Sequence, residues 1–153
     1  MAYTLISSAT ISSQTASYAF TSIPGTYRDL LVVVKGIGSG TFRFQYNSNS
    51  SDYAFQIMEN GGTTAQASWF SSQSQANCGQ IGPSNRYFQS IIQTFDYAQT
   101  NKHKVYLCRS NSYTGVMAVS GRWGNTAAVT TFTLLGNVWL NAGTVIELYG
   151  LTG

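Results

Sequence analysis

Apolar and polar residues alternate with period two along most of this chain. In Phe42-Arg43-Phe44-Gln45-Tyr46 the aromatic side chains fall on one face of an extended segment and the polar ones on the other. Arg28 to Lys35, Arg86 to Phe95, Val105 to Arg109, Val116 to Trp123, Val129 to Leu135 and Val145 to Tyr149 predict strands with one face or both covered. Their β-branched and aromatic side chains lose less freedom on a pleated sheet than in a helix. Tyr3 to Ser8 and Ser17 to Thr21 add two strands near the N-terminus, and Tyr53 to Met58 and Ala67 to Phe70 are weaker ones. No window has helical periodicity.

Turn chemistry separates these segments. Ile23-Pro24-Gly25-Thr26 supplies a proline that presets φ and a glycine that accepts positive φ, the needs of a type II turn. Gly36-Ile37-Gly38-Ser39-Gly40, Asn47-Ser48-Asn49-Ser50-Ser51 and Asn60-Gly61-Gly62 read as loops, and Ser71 to Gly79 as the longest one. Roughly eight to eleven short strands with turn signals about every 8–12 residues predict an all-β, antiparallel sandwich or barrel. The 153 residues suit one domain, 1–153, and no internal repeat suggests a propeller or solenoid. Chain ends fray unless tied down, so Tyr3 to Ser8 and Val145 to Leu151 are expected to be held in a sheet, paired with each other.

Composition changes this picture in one respect. Only 8% of residues are charged, against about 25% in an ordinary soluble domain. Ser, Thr, Asn and Gln, 56 residues together, carry the polarity instead. The net charge of +3 comes from scattered basic residues, with no run longer than Lys102-His103-Lys104. Nucleic-acid binding needs cations converging on one track, so these eight cations read as solubilising surface charges. The longest apolar run, Leu30 to Val34, is far short of the roughly 20 residues of a membrane span, and the N-terminus has no basic and apolar leader pattern. Cys78 and Cys108 are too few for a disulfide framework or a four-cysteine zinc site; free, buried thiols are expected. Asn49-Ser50-Ser51 fits a glycosylation sequon but reads as a polar loop.

Catalytic chemistry is thin. His103, between two lysines in a turn, is read as a solvated loop residue and not as a general base. Asp29, Asp52, Glu59, Asp96 and Glu147 form no recognisable pair and read as turn caps and strand-edge charges. Calcium could be held only through loop carbonyls with Asp52 or Asp29; no metal or cofactor site is assigned. The glycines of 36–40 precede a strand, whereas a phosphate loop precedes a helix, so that segment is read as a hairpin loop. Trp69-Phe70, Tyr87-Phe88, Tyr113 and Trp123 have the chemistry to stack on sugars or bases, although aromatics of a sandwich mostly fill its core. Trp69, Phe70, Ser71 and Gln73 form the one candidate binding loop.

Two groups of residues resemble a known family. One is Tyr3-Thr4-Leu5-Ile6-Ser7-Ser8 followed by Phe20-Thr21-Ser22-Ile23-Pro24-Gly25-Thr26-Tyr27-Arg28-Asp29-Leu30. The other is Trp123-Gly124-Asn125-Thr126-Ala127-Ala128-Val129-Thr130 followed by Gly143-Thr144-Val145-Ile146-Glu147-Leu148-Tyr149-Gly150. Together they resemble small virion proteins of tailed bacteriophages of the cyanophage and marine-phage type, with a divergent centre from about Ser39 to Thr100. The resemblance implies a jelly-roll-like β-sandwich, a place in the virion and no catalysis. It implies a capsid decoration (cement) protein bound to the major capsid protein, expected as a homotrimer. The alternative is a head- or tail-fibre module recognising a host glycan or receptor through central loops that include Trp69, Phe70 and Ser71 to Asn77. No nucleic-acid or membrane partner is expected.

Overall fold

The computed structural model describes residues 2–60, 64–111 and 115–153. Among these residues there are ten strands: β1 (Tyr3–Thr10), β2 (Thr15–Phe20), β3 (Asp29–Tyr46), β4 (Tyr53–Asn60), β5 (Gln66–Gln73), β6 (Ala76–Phe95), β7 (Lys104–Asn111), β8 (Val116–Trp123), β9 (Phe132–Leu140) and β10 (Val145–Leu151). Every pairing is antiparallel. The chain is an antiparallel β-sandwich in one domain, one of the two architectures its periodicity allows, and of the jelly-roll-like kind that the resemblance implies.

Two long strands build both layers. The first half of β3 pairs with β10 on one side and with the second half of β6 on the other. This makes a front sheet in the order β1-β10-β3-β6-β7-β8-β4-β5. Past Gly38 the same edge of β3 leaves β10 and takes up β9, which in turn holds β2, while β6 stays on the other side. The β3–β6 register shifts between Gly38 and Thr41, and Gly40 has φ of +83°. Irregularities with glycine at such a place let a strand turn the corner from one sheet to the other.

The core lies between the layers. Phe42, Phe44 and Tyr46 of β3 point inward from the back sheet, beside Phe132 and Leu134 of β9. They meet Tyr106, Trp123 and Tyr53 of the front sheet: Phe44 lies edge-on to Tyr106 with ring centres 4.9 Å apart, and Tyr46 lies 5.5 Å from Trp123. An aliphatic row, Leu148, Val32, Ile92, Cys108, Val119 and Ile57, runs across the front sheet beneath them. Tyr3 to Ser8 does pair with the C-terminal strand, from Tyr3 opposite Leu151 to Ser8 opposite Glu147.

Four expectations need correction. Residues 36–40 are not a hairpin loop but the middle of β3, where Gly36 lets Thr144 approach closely: a Cβ there would lie 2.7 Å from the Thr144 Cα. Ser71 to Gly79 is not the longest loop, because β5 continues to Gln73 and β6 begins at Ala76. The strand expected from Val129 starts at Phe132. Lys104, read as a surface charge, is buried. The expected turn at Asn60-Gly61-Gly62 lies mostly outside the described residues.

Candidate interaction face

Antiparallel register sends alternate residues of each front-sheet strand outward, away from the core. One outward row crosses all eight strands: Leu5, Tyr149, Leu31, Gln93, Leu107, Ser120, Gln56 and Trp69. The next row holds Val33, Ile91, Arg109, Ala118, Met58 and Ala67. Leu5, Leu107, Met58, Ile91, Val105 and Val116 are exposed large apolar side chains of a kind that ordinarily lines a covered face.

The middle of this face is hollowed into a groove of about 710 Å³. Met58, Ile91, Val116 and Ala118 contribute its apolar surface, and Gln89, Asn111 and Arg109 its polar points. A smaller hollow of about 400 Å³ continues it over Leu107 and Ser120. Asn111 Oδ1 accepts the backbone N–H of Gln89 at 3.0 Å, fixing that amide on the groove wall. Charge is sparse here. Lys35 and Glu147 form a long ion pair at 3.6 Å, and Arg109 and Glu59 line the groove itself.

The candidate binding residues fall on β5, the outer strand of the front sheet, rather than on a loop. Trp69, opposite Gln56, is 65% exposed and belongs to the outward row. Phe70 turns to the core side, with its ring 5.2 Å from that of Phe55. Gln73 Nε2 donates to the Ser71 carbonyl at 2.8 Å, so this pair closes the end of its own strand. The four residues therefore do not share one surface. Of the other aromatics, Tyr87 is 78% exposed, Phe88 and Trp123 are core, and Tyr113 lies outside the described residues. Sequence reasoning missed Arg109, Met58, Gln89, Asn111 and Val116. Its signal was the unbroken apolar run Val105-Tyr106-Leu107-Cys108, which predicts a strand covered on both faces. The described chain covers one.

The residues that carry the family resemblance are joints. The Tyr27 ring lies on Gly150, where a Cβ would come within 2.2 Å of it, so the two ends of the chain lock together. Arg28 pairs with buried Asp29 at 2.7 Å, and Asp29 Oδ1 accepts the Asp96 N–H at 3.0 Å. The Tyr97 hydroxyl donates to the Pro24 carbonyl. The segment 124–131 is held from four sides: Gly124 N–H donates to the Asp52 carbonyl, Lys104 donates to the Thr126 carbonyl, Val129 N–H to the Tyr97 carbonyl, and Asn47 bonds Ala128, Thr130 and Thr131.

Potentially reactive groups are committed elsewhere. Cys78 and Cys108 are free and buried; the Cys108 thiol donates to the Cys78 carbonyl at 2.9 Å, and burial pushes its pKa up to about 12. His103 Nδ1 lies 3.2 Å from an Arg122 guanidinium nitrogen. Asp52, like Asp29, is engaged, accepting the Ser51 hydroxyl at 2.6 Å. Among the described residues no three of His, Cys, Asp and Glu gather as metal ligands would.

No family model matches the chain, and no curated protein matches its sequence. Among solved structures it is similar to the galectin LEC-6 of Caenorhabditis elegans, at 8% identity over 95% of this chain and 96% of that one, with a TM-score of 0.44. A tetrameric galectin from the ball sponge Cinachyrella sp. is similar at 14% identity over 88% and 99%, with a TM-score of 0.38. The alginate lyase Aly36B is similar at 11% identity over 83% and 72%, with a TM-score of 0.31.

Proposed function

We propose that this chain is a structural protein of a tailed-phage virion, a decoration protein that binds the major capsid protein and stabilises the head. The observation that carries this reading is the apolar outer face of the front sheet. Leu107, Ile91, Met58 and Val116 stand exposed on it, and the unbroken apolar run of β7, Val105 to Cys108, calls for cover on both sides. A neighbouring protein would supply that second layer. The end motifs, which resemble phage virion proteins, supply the context.

The mechanism is mechanical. Each copy bridges neighbouring capsid subunits, buried apolar area sets the affinity of one contact, and repetition over the shell adds avidity. With so few charges at the interface, attachment depends weakly on salt. Quantitative mass spectrometry of purified virions is expected to count hundreds of copies per particle. A count of a few, or a few dozen, would reject the decoration role. Ile91→Glu with Leu107→Glu places charge on the face without touching the core, and is expected to abolish attachment to heads while leaving the circular dichroism spectrum unchanged.

A second reading, a fibre module recognising a host glycan, is favoured by one feature. Trp69 stands exposed at the end of the outward row beside Gln56, an aromatic next to an amide. It requires glycan-array binding that disappears in Trp69→Ala.

A further inference from the structure

Among the described residues the front sheet ends in two edges, β1 and β5, each with one strand partner and one open side. Natural sheets blunt such edges with charge, proline or a bulge, because unpaired N–H and C=O groups are a template for another strand. β1 follows this practice: its register slips between Leu5 and Ser7, in the middle of the strand. β5 does not. Its sequence, Gln66-Ala67-Ser68-Trp69-Phe70-Ser71-Ser72-Gln73, contains no charged residue and no proline. From Gln66 to Phe70 it keeps five consecutive register positions against β4, so its open side presents a regular ladder. The irregularity of this pair comes only beyond Phe70, where Ser72 has φ of +54°. Seven consecutive residues of β5 are exposed, so the strand draws little stability from burial within its own chain.

We propose that β5 is the docking edge for a second copy of this chain, with two β5 strands pairing antiparallel across a twofold axis. The neutrality of the edge selects this occupant. Twofold pairing sets each residue against its counterpart or a near neighbour, so a charged residue would meet its own sign. An edge of Gln, Ala, Ser, Trp and Phe meets itself without repulsion. The same pairing brings the two copies of Trp69 near each other on the outer face and the two copies of Phe70 near each other on the other face. It joins two front sheets into one, with both outer grooves on the same side, so a dimer offers two docking faces at once. The inference does not rest on the virion role, and it sets a twofold dimer in place of the homotrimer that the family resemblance implies.

Sedimentation velocity of the full chain over a range of concentrations tests it. A reversible monomer–dimer equilibrium is expected. Ala67→Lys with Ser68→Lys puts a cation on each face of β5 and is expected to weaken dimerisation by at least about tenfold. Thr4→Lys, a cation on the β1 edge, is expected to leave it unchanged. Should the double variant not fold, amide exchange of the unaltered chain decides: protection of 66–70 is expected to rise with protein concentration, while that of β1 does not. A single-copy mass at every concentration, a three-copy assembly, a dimer that resists the β5 lysines but not Thr4→Lys, or concentration-independent exchange at β5 would each overturn the proposal.

Discussion

Lys104 has no exposed surface, and its ammonium donates to three main-chain carbonyls: Gln99 at 2.5 Å, Lys102 at 3.0 Å and Thr126 at 3.1 Å. A buried charge is tolerated only when hydrogen bonds replace its water, and here they fasten two loops to the start of β7. Lys104→Met keeps the bulk of the stem but orphans those carbonyls. We expect a loss of about 2–4 kcal/mol, measured as a lower urea midpoint with unchanged slope. A midpoint within error of the parent would show that water replaces the ammonium. Nothing in Lys102-His103-Lys104 announces this role, because one acceptor, Thr126, lies 22 residues further on. Asn47 is legible by contrast only in part. Its loop position and left-handed φ of +51° suit asparagine. Its bonds to Ala128, Thr130 and Thr131 depend on tertiary structure that no local pattern encodes.

At the scale of elements, period-two patterning located most strands to within a few residues, because alternation reports burial of one sheet face directly. What it could not see is continuity. Residues 36–40 carry the glycines of a loop, yet two of the three answer a need inside β3. Gly40 adopts positive φ at the corner between sheets, and Gly36 makes room for Thr144. Gly36→Ala discriminates strand from loop. A Cβ there would lie 2.4 Å from Thr144 Oγ1 and 2.7 Å from the Thr144 Cα, and the backbone atom cannot rotate away. The expected cost is about 1–3 kcal/mol, read as a drop in thermal midpoint, whereas alanine in a free hairpin loop would be near neutral. The candidate site was legible in the same partial way. Val105-Tyr106-Leu107-Cys108 shows that β7 wants two covered faces, but only the assembled sheet reveals that Leu5, Leu107, Ile91 and Met58 join into one surface. Adjacency in sequence groups Trp69 with Phe70, whereas a strand puts adjacent residues on opposite sides.

For the whole molecule, scarcity of charge makes the pH response depend on groups that are neutral at pH 7. Burial raises the pKa of Tyr46, Tyr53, Tyr97 and Tyr106, and of the Cys78 and Cys108 thiols. The folded state keeps these six protons at a pH where the unfolded chain releases them, from about 8.5 for thiols and about 10 for tyrosines. Stability contributed by a raised pKa is complete below the unfolded value and is lost as pH climbs toward the folded one. Each retained proton steepens that loss by about 1.4 kcal/mol per pH unit. Lys104 works in the opposite sense: burial lowers its pKa, so raising the pH favours the folded state until the unfolded lysine also titrates near 10.5. One proton against six does not reverse the slope. A domain with about 5–15 kcal/mol of stability therefore unfolds cooperatively between about pH 10 and 12. Tyrosinate absorbance and far-ultraviolet circular dichroism, followed together, check this. The four buried tyrosines, Tyr46, Tyr53, Tyr97 and Tyr106, are expected to ionise only as the β signal disappears. Ionisation of these four with the β signal intact would mean that the aromatic core opens to solvent without unfolding.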